Sequence, residues 1–215
     1  MNDLVTRSLA GAALIAVALI AAVLGGYWFA ALAAAASCAM FFEWRRIVTG
    51  WGAGWQIGGF FYALVPALAL LWIRDRVTFA GHSIGLELLV WVFVVTWSVD
   101  IGAYFAGRTF GGPKLAPRVS PNKTWAGLLG GALAASAFGA LWALTTKLPS
   151  PLLWLAPLFA IAAQGGDLFE SGMKRRAGVK DSGNWLPGHG GALDRLDGLV
   201  VVATLTAAAA LGGLW

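Results

Sequence analysis

Apolar runs of roughly twenty residues recur seven times along this chain, near residues 4–24, 27–43, 55–73, 85–107, 125–145, 152–171 and 193–213. Hydrocarbon offers no water to backbone amides, so each run must satisfy its own hydrogen bonds as a helix, and an open sheet is excluded. The expected fold class is all-α: a polytopic transmembrane helical bundle of about seven spans, forming one membrane domain over residues 1–215. A mean hydropathy of +0.75 agrees. The single Cys38 excludes an intramolecular disulfide framework, and with only His82 and His189 beside it there are too few soft ligands for zinc. Any metal is expected to be oxygen-bound.

Short cytoplasmic loops carry the excess of Lys and Arg. Assigning alternate loops to one side gathers Arg7, Arg45, Arg46, Arg108, Lys114, Arg118, Lys123, Lys174, Arg175, Arg176, Lys180 and Arg195, leaving Arg74, Arg76 and Lys147 for the other. This predicts a cytoplasmic N-terminus, two cytoplasmic polar loops at 108–124 and 172–192, and an outside C-terminus. The net charge of +5 therefore reflects topology, and nucleic acid is not an expected partner. Arg7 ahead of residues 9–24 resembles a signal peptide, but a second span follows at once, so the first run reads as a retained helix.

The residues from Gln164 to Gly198 break the apolar pattern, holding five of the ten acids and five of the fifteen bases. Asp167 follows Gly165-Gly166, where backbone can approach a ligand closely. Glu170 and Ser171 share its helix face. Asp194 and Asp197, at i and i+3, open the last span, where the helix dipole favours them but they repel one another. A divalent cation relieves that repulsion, and magnesium suits carboxylates combined with phosphates. Arg175 or Arg176 can grip a phosphate bidentately, with Lys174 and Lys180 as point charges. The turn Pro187-Gly188-His189-Gly190-Gly191 offers amides for a phosphate or a base; His189 by itself reads equally as a turn or capping residue.

Two upstream segments extend this set. Asp100 lies eight residues before Arg108, about 12 Å below the cytoplasmic end of its span. A carboxylate that deep faces a cavity as a functional group or pairs with Arg108 or Lys123. Tyr104 is one turn on and shares its face. Residues 108–124 contain Pro113, Pro117 and Pro121 and cannot form a regular helix. Ser120, Asn122, Lys123 and Thr124 supply polar groups there, and Thr124 is placed to cap the fifth span, beside which a phosphate can sit. The Gly127/Gly131 pair is either a close helix-packing face or a reflection of common small residues. Trp51, Trp55, Trp72, Trp125 and Trp215 fall near span ends, as interfacial anchors do.

No P-loop, dinucleotide fingerprint or nucleophile elbow occurs, which favours phosphoryl or nucleotidyl transfer without a covalent enzyme intermediate. Ser171-x-x-Lys174-Arg175, Lys180-Asp181-Ser182-Gly183, Pro187-Gly188-His189-Gly190-Gly191 and Leu193-Asp194-Arg195-x-Asp197 resemble the integral-membrane phosphatidate cytidylyltransferases, or CDP-diacylglycerol synthases. The resemblance continues upstream in Gly166-Asp167-Leu168-x-Glu170-Ser171, Ser98-x-Asp100-x-x-Ala103-Tyr104-x-x-Gly107-Arg108, Lys114-Leu115-Ala116-Pro117 and Ser120-Pro121-x-Lys123-Thr124-Trp125. It spans residues 98–198, the expected catalytic region, and leaves the helices of residues 1–97 without a role.

This resemblance implies transfer of CMP from CTP to phosphatidic acid, giving CDP-diacylglycerol and pyrophosphate, with magnesium and, as an option, a second cation. The expected catalytic residues are Asp167, Asp194, Asp197, Lys174 and Arg175, the three aspartates holding the metal. Substrate contacts would come from Asp100, Ser120, Lys123, Thr124, Ser171, Lys180, Asp181, His189 and Arg195. A homodimer and a bacterial inner-membrane location, active site toward the cytoplasm, are also implied. Ala126 stands where many members have a glutamate, Gly198 where serine is common and Ile101 where a small hydroxyl residue is, so no roles carry over there. Asp194-x-x-Asp197-Gly198 also begins like the metal motif of CDP-alcohol phosphotransferases, but Leu-Val-Val-Val follows where that motif needs an Ala-Arg pair. A lipid or ion transporter would leave the clustered acids without a task.

Overall fold

The computed structural model describes residues 3–183 and 190–215, with side chains from residue 11 onward. Among them are seven helices: α1 (Asp3–Leu24), α2 (Gly26–Ile47), α3 (Ala53–Arg76), α4 (Gly85–Phe110), α5 (Trp125–Thr145), α6 (Pro151–Arg176) and α7 (Leu193–Leu211). Every expected apolar run is a helix, and five, α2 to α6, are long and apolar enough to cross a membrane. In α1 the described apolar segment is shorter, Gly11–Leu24. In α7 the charges of Asp194, Arg195 and Asp197 occupy the first turns, so its apolar part is short. The chain is thus a mostly helical integral membrane protein.

The all-α expectation needs one correction. Two short antiparallel hairpins sit in the connections, β1 (Thr78–Phe79) with β2 (His82–Ser83), and β3 (Lys114–Ala116) with β4 (Ser120–Thr124). The first turns through Ala80 and Gly81, both at positive φ, the geometry of tight hairpin turns. The second takes up the proline-rich segment. With helix denied to it, extended pairing satisfies its backbone, and the Trp125 amide donates to the Pro113 carbonyl at 3.1 Å. Helical ends also move outward: α6 continues to Arg176, so Lys174, Arg175 and Arg176 form its last turn instead of a loop. Basic residues are favoured there by the helix dipole.

Packing follows residue size. Along α5, Gly127, Gly131, Ala135, Gly139 and Ala143 recur every fourth residue and are buried. Leu129, Leu133, Leu141 and Leu144 are exposed on the other faces. Lipid is as apolar as leucine, so large side chains gain little by facing inward, while small ones let backbones approach. The Gly127/Gly131 pair is therefore a packing face: a Cβ on Gly131 would lie 2.8 Å from the Val99 carbonyl, and one on Gly127 3.0 Å from that of Ala103. Gly102 faces α5 as closely: its added Cβ would stand 2.5 Å from the Ala134 Cβ and 2.6 Å from the Gly130 oxygen. Gly102→Ala is expected to destabilise the protein by about 1–3 kcal/mol through overpacking, seen as earlier thermal unfolding in detergent. Gly58→Ala, where a Cβ would meet open space, should leave stability unchanged or slightly raised, since alanine favours helix.

Polar structure gathers at one end of the bundle. There the C-termini of α2, α4 and α6 meet the N-terminus of α7 and the β3–β4 hairpin: Arg175 Nε donates to the Val119 carbonyl at 3.2 Å, and the Ala192 amide donates to Glu43 at 3.0 Å. At the opposite end Arg74 donates to the last carbonyls of α1, to Ala22 at 2.6 Å and Val23 at 3.0 Å. The tryptophans divide. Trp125 is exposed as an anchor would be, whereas Trp51 and Trp55 lie beneath the Arg176 guanidinium, at 4.3 and 5.7 Å, and stack on the protein's own cation.

Candidate active site

Gly166 brings α6 and α7 together at the polar end, because a Cβ there would lie 2.5 Å from Val201 Cγ2. The glycine thus serves helix contact, and its consequence is to set Asp167 beside the first turns of α7. Asp167 Oδ2 pairs with Lys123 Nζ at 2.5 Å and Oδ1 accepts from Ser171 Oγ at 3.2 Å. The Lys123 ammonium also approaches the Gln164 carbonyl at 3.5 Å. Asp197, on α7, lies within electrostatic reach of Asp167, Asp100, Glu170 and Lys123, and its Oδ1 accepts from the Gly198 amide at 2.8 Å. Asp100 lies within electrostatic reach of Asp167, Lys123 and Arg195. Of its two expected partners, Lys123 lies within electrostatic reach but pairs with Asp167, and Arg108 donates to Tyr104 Oη at 3.1 Å.

Asp194 belongs to a different arrangement. Its Oδ1 receives Lys174 Nζ at 2.5 Å, and its Oδ2 accepts the amides of Ser182 and Gly191, each at 2.9 Å. Lys174 also pairs with Glu170 Oε1 at 2.9 Å. Asp194 and Asp197 are three residues apart and so about 60° apart around the helix. That angle turns one toward the loop after α6 and the other toward Asp167 and Asp100. The three aspartates therefore do not form one group, and among the described residues no three His, Cys, Asp or Glu side chains are close enough to hold a metal ion.

What remains is an oxygen-rich, negatively charged floor. Asp197 lies within electrostatic reach of Asp100, Asp167 and Glu170, with Lys123 paired to Asp167 and Lys174 to Glu170. Glu170 is fully buried, and among the described residues its Oε2 has no hydrogen-bond partner. Buried carboxylate oxygens are costly to leave unpaired, so this floor suits a hard divalent cation whose other ligands come from water and phosphate.

The remaining expected residues divide between contact and scaffold. Thr124 is buried and its Oγ1 accepts the Gly127 amide at 3.0 Å, the expected cap of α5. Ser120 pairs with Ala116 at the start of β4. Arg175 Nη1 donates to the Val179 carbonyl at 3.3 Å. Together with its bond to Val119, this ties the hairpin to the end of α6. Lys180 and Asp181 are exposed on the loop, and His189 lies outside the described residues. Of the turn expected to cradle a phosphate, residues 187–189 lie outside the described residues; the Gly191 amide donates to Asp194, and just beyond the turn Ala192 and Leu193 donate to Glu43 at 3.0 and 2.8 Å. Glu43 escaped the sequence reading. The only sign of it was a carboxylate at the inner edge of an apolar run.

These features lie within residues 51–211, which match the model of the Cytidylyltransferase family, apart from Glu43. The chain belongs to this family. Among curated relatives, the phosphatidate cytidylyltransferase of Brucella suis biovar 1 is 52% identical over 165 residues, covering 74% of this chain and 58% of the relative. That of Bacillus subtilis is 46% identical over 121 residues, 55% of this chain and 45% of the relative. The Pseudomonas aeruginosa protein of the same name is 39% identical over 170 residues, 77% of this chain and 61% of the relative. The chain thus spans about three-fifths or less of the length of these relatives. In this cytidylyltransferase-family chain the match extends beyond the 98–198 resemblance, taking in α3 and the whole of α7.

Proposed function

We propose that this chain is a phosphatidate cytidylyltransferase, an integral-membrane nucleotidyltransferase that moves CMP from CTP to phosphatidic acid and releases pyrophosphate. The supporting observation is the acidic floor of Asp100, Asp167 and Asp197 with Lys123 beside it, at the polar end of a bundle whose sequence is 52% identical to a protein of that name. The phosphatidate phosphate is already an anionic nucleophile, so no serine or cysteine needs activation. The reaction requires charge cancellation and in-line alignment at the α-phosphorus of CTP.

Magnesium, held by Asp167 and Asp197, would supply Lewis-acid neutralisation of phosphate oxygens. Lys123, freed from Asp167 in exchange for a phosphate, keeps a positive charge at the same place. Lys174 holds Asp194 and Glu170 in fixed positions. Arg195, Lys180 and Arg175 present cations to the triphosphate and the lipid headgroup, while Asp100 closes the lower wall. A second cation, a homodimer and a bacterial inner-membrane location belong to the same reading. So do a cytoplasmic N-terminus, an outside C-terminus and catalysis within residues 98–198.

Purified protein in detergent with magnesium, CTP and phosphatidic acid should yield CDP-diacylglycerol and pyrophosphate in equal amounts, and none with EDTA. Absence of product with magnesium, alongside CMP release from CDP-diacylglycerol and an alcohol, would reverse the assignment to a CDP-alcohol phosphotransferase. The orientation is tested on a Cys38→Ala background with cysteines introduced at Lys114 and Lys180. An impermeant maleimide added to the cytoplasmic side should label both, and labelling of either from the outside refutes the topology.

A further inference from the structure

Glu43 stands near the C-terminus of α2, before the 51–211 family match begins, yet it is fully buried against the loop that precedes α7. Its Oε1 accepts the Ala192 amide at 3.0 Å, and its Oε2 accepts the Leu193 amide and the Ser182 hydroxyl, both at 2.8 Å. Among the described residues no lysine or arginine pairs with it. Its counter-charge is the N-terminus of α7, where unpaired amides and the helix dipole favour an anion.

Backbone presses on this carboxylate from two sides. A Cβ on Gly183 would lie 2.4 Å from Glu43 Oε1, and one on Gly191 would lie 2.5 Å from Oε2 and 2.0 Å from Ser182 Oγ. The glycines at 183 and 191 thus owe their place to close approach to Glu43. The same two segments are gripped from the other side by Asp194, whose Oδ2 takes the Ser182 and Gly191 amides. Two carboxylates therefore clamp one loop, and the helix that begins between them carries Asp197 one turn on.

We infer that Glu43 is a positioning residue for this reaction: an internal anion that fills the N-terminal site of α7 and so fixes Asp194 and Asp197 against α6. This rests on the function proposed above. It also assigns that helix N-terminus to the protein's own carboxylate, so substrate phosphates are bound by side-chain cations and metal instead. A cavity of about 380 Å³, lined by Arg46, Thr49, Arg176 and Ser182 among others, borders the clamp.

Glu43→Gln keeps the volume but turns an amide N–H toward the donors. It is expected to lower kcat about tenfold or more by misplacing the acids, with KM for CTP and phosphatidic acid little changed. Glu43→Ala should lose as much and regain activity in sodium formate but not sodium chloride, while Glu43→Gln gains nothing from formate. Ser182→Ala, which removes one donor, should cost about fivefold, and adding it to Glu43→Gln should cost nothing more. Hydrogen exchange across residues 177–193 should rise in Glu43→Gln, a readout independent of turnover. Wild-type kcat in Glu43→Gln, no formate response in Glu43→Ala, or additive losses in the double variant would overturn the inference. So would unchanged exchange, even if the unmodified protein makes no CDP-diacylglycerol, a result that refutes the proposed function separately.

Discussion

Asp197→Asn and Asp167→Asn are each expected to reduce turnover at least about a hundredfold, ~2.7 kcal/mol or more of transition-state stabilisation, with the fold intact. Asp167 pairs with the Lys123 ammonium, and Asp197 lies within electrostatic reach of Lys123, Asp100 and Glu170. In the absence of a divalent cation, Asp197→Asn removes one of several mutually repelling charges, so its thermal midpoint should equal or exceed that of the unmodified protein. Magnesium should then raise that midpoint less than it does in the parent, since stabilisation by a ligand scales with its affinity for the folded state. Asp194→Asn should behave oppositely. Its carboxylate accepts from Lys174, Ser182 and Gly191, and one amide oxygen cannot serve all three. Turnover and stability should fall together. Thermal denaturation with and without magnesium, beside steady-state kinetics, checks the contrast; near-normal turnover in Asp197→Asn and Asp167→Asn removes those residues from the metal site.

Lys174→Met should be the most destabilising single change at the polar end. The ammonium lies between Glu170 and Asp194, with side-chain exposures of 12% for the lysine, 0% for Glu170 and 13% for Asp194. Removing it strands Glu170, whose Oε2 already has no hydrogen-bond partner among the described residues. Breaking a buried ion pair from one side typically costs about 3–5 kcal/mol, because the remaining charge is uncompensated. Lys174→Met with Glu170→Gln should recover part of that loss, since the buried group is then neutral. Equal midpoints for the single and double variants would show that Glu170 is not the source of the cost.

The helices were legible in the sequence to within a few residues, apart from the ends of α2 and α6, where helix continues past the apolar run into Arg46 and Arg176. Hydropathy marks where lipid stops, not where helical hydrogen bonding stops. Thr124 was legible as a cap because capping is local, involving only Gly127 three residues on. The hairpin at 114–124 was legible as non-helical from its prolines, but not as a hairpin, since pairing depends on partners across a turn. Glu43 was not legible: its contacts lie 139 to 150 residues away, and no short motif surrounds it.

By itself the sequence determined that the chain is a helical membrane bundle with carboxylates and cations collected at one end. Apolar runs in hydrocarbon have one local solution for the backbone, and charges are excluded from all but the polar edge. Only the tertiary structure decided how the aspartates divide their work. The spacing of Asp194 and Asp197 sets the angle between them on one helix. What each meets at that angle depends on α2, α6 and the hairpin, so one is held by a loop and a lysine while the other lies among further carboxylates.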